Sequence, residues 1–423
     1  MLDVVPCRAT SNVAAIVLNW NGWRDTVECL ESLMASTHRP SHIVVCDNGS
    51  VDGSLGFLKQ WAAGNGIAYE SFDSSAEALA SPAHGANLMF IQNGENRGFA
   101  AGNNVGLRYV LERTRADYCW ILNNDAVVSP EALESMLEIA QEDPSAGMVG
   151  CTLVNYDQPH VVQAIGGGYI VPVVCHDTQL GRGTTRRQAV SRRIELEHLI
   201  GACLLVRTQA IRDVGLMDES YFLYREETDW CIRMRRQGWR LFCSPDATVR
   251  HKQARSVGFK SPMHDYYAVR NILRLVQKFF PKSLPFAFGY FAMRSLLPKL
   301  VRLQLTRTLA VCAALRDFVA GVEGRSAAHS DATMHAHYLR ELNGSRPVFA
   351  AQPPRVNQKR VAVLAAGLVL ALAMLLGRVA LTPSSLLAFA VVKPRRAIPV
   401  VKINAMPTKN LASQRSLPVD QGN

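Results

Sequence analysis

Short apolar runs alternate with helical periodicities through the first third of this 423-residue chain. Ala14-Ala15-Ile16-Val17-Leu18, Ile43-Val44-Val45-Cys46, Ala86 to Ile91 and Cys119 to Leu122 each read as a buried strand. Between them, Val27, Leu30, Leu33 and Met34 recur at helical spacing within Arg24 to Ala35, and Leu55 to Trp61 makes a second helical stretch. A third helix runs toward Arg113, and a fourth from Glu131 to Ile139, stopped by Asp143-Pro144. Every strand runs into a polar segment: Asn19-Trp20-Asn21-Gly22, Asp47 to Ser54, Asn96 to Gly106, and Asn123-Asn124-Asp125. Strand, polar loop and helix, repeated, predict a parallel sheet with right-handed crossovers whose ligand lies at the carboxyl ends of the strands.

From Gly147 the pattern changes to mixed strands and loops, including Met148 to Cys151, Gly166 to Tyr169 and a basic loop from Arg182 to Arg193. Ile200 to Arg207 reads as a strand and Thr208 to Val214 as a helix. Asp218 to Asp229 then sets acids among aromatic residues, with Glu226, Glu227 and Asp229 opening a helix. Carboxylates near a helix N-terminus interact favourably with its dipole, but burying several together is expensive unless they serve a site. Arg240 to Cys243 is strand-like and leads to Ala247 to His251, and His264 to Phe280 is helical. Pro285 to Leu315 mixes aromatic and aliphatic residues with Arg294, Lys299, Arg302 and Arg307, a composition that suits contact in the plane of a membrane surface. Val361 to Gly377 is an unbroken apolar run between Lys359-Arg360 and Arg378, at the short limit for a membrane span.

Charge sharpens this division. Residues 1–150 hold 8 Lys+Arg against 18 Asp+Glu, leaving 38 basic and 17 acidic residues for the remainder. A basic second part behind an acidic first part suits anionic lipid headgroups better than nucleic acid, for which no binding motif or stacking array is present. The ten cysteines form no C-x-x-C pair and fall mostly in apolar patterns, as buried thiols in a reducing compartment do. No signal peptide is visible, so the chemistry is expected on the cytoplasmic side.

Candidate chemistry centres on two carboxylate sets. Asp125 follows a buried strand, where a carboxylate can hold a hard divalent cation and bridge it to phosphate. Glu226, Glu227 and Asp229 form the second set. Small residues from Gly98 to Gly106 let a phosphate or sugar hydroxyl approach a helix start, although neither G-x-G-x-x-G nor a P-loop is present.

In series these segments resemble the family-2 glycosyltransferases with a GT-A fold, and within them the rhamnosyltransferase-like branch that works on bacterial polysaccharides. The matching pieces are Val17 to Gly22, Val45 to Ser50 with Asp52-Gly53-Ser54, Asn96 to Asn104, Leu122 to Asp125, Gly201-Ala202-Cys203, and Asp218-Glu219 through Cys231. The resemblance implies an α/β GT-A domain over 1–255, Rossmann-like, with a mostly parallel sheet and helices on both faces. Beyond it are expected a basic amphipathic helical extension (256–325), a linker (326–358), a hydrophobic membrane segment (359–392) and a disordered basic tail (393–423).

The resemblance further implies a metal-dependent, inverting transfer of a sugar, rhamnose from dTDP-rhamnose, to a lipid-linked or growing polysaccharide acceptor. The expected place is the cytoplasmic face of the inner (plasma) membrane. Asn19, Asn21, Asp47, Asn48, Asn96, Arg97, Gly98, Asn103, Asn123 and Asn124 would bind the nucleotide sugar, with Asp47 facing its base or ribose. Asn123-Asn124-Asp125 stands where the family has D-x-D, so Asp125, with His251, would ligate Mg²⁺ or Mn²⁺. Glu227 stands at the position of the general base, with Glu226 or Asp229 as rivals. A sugar nucleotidyltransferase would need a Gly-rich signature with Arg and Lys after the first strand, which Asn19-Trp20-Asn21-Gly22 does not provide. A catalytically impaired membrane scaffold is the other alternative, because Asn123 and Glu227 depart from the family pattern.

Overall fold

Each apolar run in the first third becomes a strand, and the polar segment after it becomes the loop at the strand's carboxyl end. A computed structural model describes residues 11–81, 85–185, 193–252 and 261–326. Strand β1 (Val13–Asn19) leads to helix α1 (Trp23–Met34), and β2 (His42–Asp47) to α2 (Ser54–Gly64). A short β3 (Tyr69–Phe72) and α3 (Ser75–Ala80) follow, neither marked by a clear periodicity in the sequence. Then come β4 (Leu88–Gln92), α4 (Gly98–Arg113), β5 (Tyr118–Asn123), β6 (Ala126–Val128) and α5 (Ala132–Glu142).

The second half opens with β7 (Ala146–Asn155) and β8 (Val162–Ile165). Five short strands follow: β9 (Gly167–Gly168), β10 (Ile170–Val171), β11 (His176–Asp177), β12 (Ile194–Leu196) and β13 (His198–Leu199). Next are β14 (Cys203–Arg207), α6 (Thr208–Val214), α7 (Glu226–Arg236) and β15 (Arg240–His251), the last running well past the Arg240 to Cys243 stretch that the pattern marked. Helices α8 (Pro262–Phe279), α9 (Leu284–Val301) and α10 (Leu305–Ala320) end the described chain.

The main sheet has the order β12-β15-β7-β14-β5-β1-β2-β4-β3. The strands from β3 to β5 are parallel, β14 lies antiparallel between β5 and β7, and β15 is parallel to β7. Every strand on this path except β14 and β12 therefore runs in the same direction. One core forms where Leu30, Leu33, Leu58, Leu133 and Met136 of α1, α2 and α5 meet one face of the sheet. The other forms where Val105, Val110, Ile211, Trp230 and Met234 of α4, α6 and α7 meet the opposite face. This is the expected α/β class, with helices on both faces of a mostly parallel sheet. Deep burial pushes the thiols of Cys46, Cys119 and Cys231 up to about 12, which leaves them protonated and unreactive.

The C-terminal helices make a third core. Tyr266, Tyr267, Ile272 and Val276 of α8 pack with Ala310 and Phe318 of α10 and with Tyr221 and Phe222 from the loop before α7. The basic stretch is thus partly an internal element: Arg270 is fully buried, and Lys278 reaches Asp218 at 2.7 Å and Asp229 at 2.6 Å. The expected continuous segment from Pro285 to Leu315 is two helices broken at Arg302–Gln304. Among the described residues, no helix is long and apolar enough to cross a membrane. The expected linker beyond Ser326, the hydrophobic segment at 359–392, the tail at 393–423 and part of the basic loop (186–192) lie outside the described residues.

One close backbone approach ties α4 to the loop before α7. The Phe99 amide donates to the Phe222 carbonyl at 2.7 Å, and Gly98, at φ 81°, leaves no room there for a Cβ. Gly98→Ala should lower the unfolding free energy by roughly 2–4 kcal/mol, combining backbone strain with a collision against main chain. Urea denaturation of parent and variant measures this.

Candidate active site

The carboxyl ends of β1, β2, β4 and β5 are joined by a network of asparagines. Asp47, at the end of β2, is fully buried and accepts from Asn19 Nδ2 (2.6 Å), Ser50 Oγ (2.6 Å), the Ser50 amide (3.1 Å) and Gln92 Nε2 (2.7 Å). Four donors thus surround the Asp47 carboxylate and tie the loop after β2 to the ends of β1 and β4. Asn19 also accepts from Thr26 at 2.8 Å, and Asn21 Oδ1 from the Val51 amide at 2.8 Å. Asn48 donates to Asn96 Oδ1 at 3.0 Å and accepts from the Arg97 amide at 3.2 Å, while the Gly98 amide donates to Asn96 at 3.0 Å.

Asn103 is buried with its Oδ1 unsatisfied, and Asn124 holds the turn after β1 by donating to the Gly22 carbonyl at 3.3 Å and Thr26 at 3.1 Å. Arg97 alone among the expected nucleotide-binding residues has an exposed side chain. The asparagines therefore hold these loops together from within, and Arg97 stands exposed beside them.

Asp125 and His251 meet because β6 folds back antiparallel to β15, with Ala126 opposite His251. Their carboxylate oxygen and Nε2 lie 3.2 Å apart, and Asn123 Nδ2 is 3.3 Å from the same ring nitrogen. Gln163 on β8 fixes the ring: its Oε1 lies 3.0 Å from His251 Nδ1, and its Nε2 donates to the His251 carbonyl at 2.7 Å. Burial raises the Asp125 carboxyl, but the facing imidazole and the Lys252 ammonium outweigh it and hold the group below the usual range. An ionised carboxylate beside an imidazole whose far nitrogen is already engaged is a donor pair that fits a divalent cation. Among the described residues no third His, Cys, Asp or Glu completes a metal cluster, so the remaining positions would fall to phosphate or water oxygens.

The three acids at the start of α7 have different surroundings. Asp229 is fully enclosed and accepts from Arg233 Nε at 2.6 Å and Tyr221 OH at 3.1 Å, with Lys278 Nζ at 2.6 Å. It is a structural hub joining α7 to α8, which removes it as a rival base. Glu226 is almost wholly buried; burial, with Glu227 beside it, pushes its carboxyl well above the usual range. Such burial disfavours the charged carboxylate that a general base needs. Glu227 keeps a fifth of its side chain exposed and lies 3.8 Å from Nε2 of the buried His198 on β13.

The two sets converge on Gly201-Ala202. The Asn123 amide donates to the Ala202 carbonyl at 3.0 Å, and a Cβ at Gly201 would lie 3.6 Å from Glu227 Cβ. Thus the chain between β13 and β14 lies against both Asn123, two residues before Asp125, and Glu227. Gln163 and His198 were missed by sequence reasoning, since a single Gln and a single His in short strands carry no pattern; only their sheet partners reveal them.

A family model described as "Glycosyltransferase like family 2" matches residues 11–262. The low-salt glycan biosynthesis hexosyltransferase Agl10 of Haloferax volcanii is 22% identical over 285 residues, covering 64% of this chain and 78% of that protein. The N-acetylglucosaminyl-diphospho-decaprenol L-rhamnosyltransferase of Mycobacterium tuberculosis is 26% identical over 251 residues, covering 56% of this chain and 74% of that protein. Among solved structures, GalNAc-T7 with UDP, GalNAc and Mn²⁺ aligns with a TM-score of 0.49 at 11% identity, over 78% of this chain and 58% of that one, a likeness too slight to argue from.

Asp218 supplies a pH test of the loop before α7. Burial raises its carboxyl, but Lys278 and Ser220 outweigh that and bring it from 3.8 to about 2. A depressed folded value means that the stabilisation is present above 3.8 and is lost as pH falls through about 2. Asp218→Asn should therefore lower the thermal midpoint at neutral pH and flatten its decline between pH 4 and 2; unfolding scans across that range measure both.

Proposed function

The chain belongs to glycosyltransferase-like family 2, and from that premise we propose that it is an inverting transferase moving rhamnose from dTDP-rhamnose to a lipid-linked acceptor. The observation that supports this reading is that the chain at Gly201-Ala202 lies against both Asn123, two residues before Asp125, and Glu227. Glu227 is placed as the general base: as the acceptor hydroxyl oxygen attacks the anomeric carbon, Glu227 takes its proton, and the bond to the diphosphate breaks. Attack opposite the leaving group in one displacement inverts the anomeric configuration. Nε2 of the buried His198 lies 3.8 Å from the Glu227 carboxylate.

Asp125 and His251 would hold Mg²⁺ or Mn²⁺, which when bound supplies Lewis-acid stabilisation of the departing diphosphate. Asn19, Asn21, Asn48, Asn96, Asn103, Asn123 and Asn124 set the shape of the donor cradle, and Arg97 offers its guanidinium to the phosphates. The name of the mycobacterial relative supports a lipid-linked acceptor, and its rhamnosyl activity supports the donor. The basic second part supports work at the cytoplasmic face of the plasma membrane.

With dTDP-rhamnose, acceptor and Mn²⁺, the full chain should release dTDP. Glu227→Gln should lower kcat by about 10²–10⁴-fold with little change in thermal midpoint, as loss of a general base does. Asp229→Asn should instead lower the midpoint, by unpairing Arg233 and Lys278. Asp125→Ala and chelation of the metal should each abolish release. Equal low rates in parent, Glu227→Gln and Asp125→Ala would favour the scaffold alternative.

A further inference from the structure

The exposed apolar side chains are unevenly spread. Leu297, Leu300, Val301, Leu303, Leu305 and Leu309, each 50% to 81% exposed, crowd the corner where α9 ends and α10 begins. The others, such as Val51 and Phe57, are scattered over the remaining surface. Single exposed apolar residues need no account, but a contiguous patch marks a surface built for contact. The apex is Leu303, the most exposed of them, at φ 54°. That left-handed conformation is unfavourable for a leucine and easy for a glycine, so an apolar side chain stands at the tip despite strain.

The charge around the corner has one sign. No Asp or Glu occurs between Asp265 and Asp317. Asp265 is neutralised by Arg307 (2.6 and 3.1 Å) and by Lys299 (3.2 Å). Asp317 is held by Arg316 at 2.8 Å and by Tyr266 at 2.7 Å. Arg294 and Arg302 project into solvent beside the leucines. A convex apolar tip ringed by cations and without an uncompensated acid is complementary to anionic lipid: leucines enter the acyl boundary while guanidinium groups meet phosphates.

The corner is also wired to the candidate base. Lys299 and Arg307 both grip Asp265 in the first turn of α8. The neighbouring His264 sets its ring against Tyr224 at 5.1 Å, and Tyr224 stands two residues before Glu226. We propose that the α9–α10 corner inserts into an anionic lipid leaflet and thereby presents the loop carrying Glu227 to an acceptor whose lipid part stays in that leaflet. The insertion stands on the patch alone; the presentation rests on the lipid-linked acceptor proposed above.

The test uses the full chain carrying Leu303→Trp, read as the difference spectrum from the parent. With vesicles of phosphatidylglycerol and phosphatidylcholine, emission of the introduced indole should shift to the blue and be quenched by brominated acyl chains. High salt or vesicles of phosphatidylcholine alone should weaken the effect, and Phe57→Trp should show neither change. Adding Leu300→Glu and Leu305→Glu should lower the corner's partition about tenfold for each leucine lost. The same pair should lower turnover of a lipid-linked acceptor while leaving dTDP release with a water-soluble acceptor at the parent level.

Indole emission at the corner that stays water-like with vesicles overturns the proposal. So does emission already blue before vesicles are added, the result if residues 361–377 or a second copy cover the corner. Insertion without sugar transfer from any donor would leave the lipid surface standing and remove the acceptor reading. Transfer to a lipid-linked acceptor without insertion would do the reverse.

Discussion

Much of the site depends on how α8 holds the loop before α7. Asn271 donates to the carbonyls of Tyr221 (2.9 Å), Leu223 (2.6 Å) and Tyr224 (3.1 Å), and Arg270 donates to Tyr221 at 3.0 Å. Within this segment Phe222, Tyr224 and Arg225 all have left-handed backbones, with φ of 69°, 66° and 83°. Three such residues cost roughly 3–6 kcal/mol together, so the conformation persists only because something outside the loop imposes it. The buried Arg270 is itself fixed against the rings of Tyr266 and Tyr267. Glu226 and Glu227 follow directly, so the direction in which each carboxylate points is set by a helix all but one residue of which lies beyond the family-matched segment.

This changes the meaning of the charge asymmetry. Part of the basic excess after residue 150 complements acids of the same half: Lys278 with Asp218 and Asp229, Arg274 with Glu323, Arg307 with Asp265. The cations left facing solvent include Arg294 and Arg302, which stand where the apolar surface is also concentrated. The net sign was readable from composition; its division between internal pairing and surface needed coordinates. A cation on an amphipathic helix looks the same in sequence whether it meets a carboxylate, a carbonyl or water.

What was legible, and what was not, follows the same physics. β1, β2, β4 and β5 are apolar on both faces, and their runs are unmistakable; β3 is half-buried at the sheet edge, and its Tyr69-Glu70-Ser71-Phe72 has too little apolar character to stand out. The gathering of Asp125 and His251 could be expected only through resemblance, because it depends on β6 reversing against β15 across more than a hundred residues. The ranking of three nearby acids was not legible at all. Glu226, Glu227 and Asp229 share one helix start, and only burial and partners separate a buried carboxyl, a partly exposed one and a structural hub. Similarly, a list of polar strand-end residues could not distinguish the asparagines and Asp47, which are bonded within the loops, from Arg97, which is exposed.

The central claim is that the helices after residue 262 belong to the active site because they aim Glu227. The most direct measurement is steady-state kinetics of Asn271→Ala together with amide exchange over residues 220–227. If α8 aims the base, kcat falls by about tenfold or more while the donor KM barely moves, and the loop amides exchange faster, because a displaced catalytic group costs rate without donor affinity. An unchanged kcat with a freely exchanging loop would contradict the account.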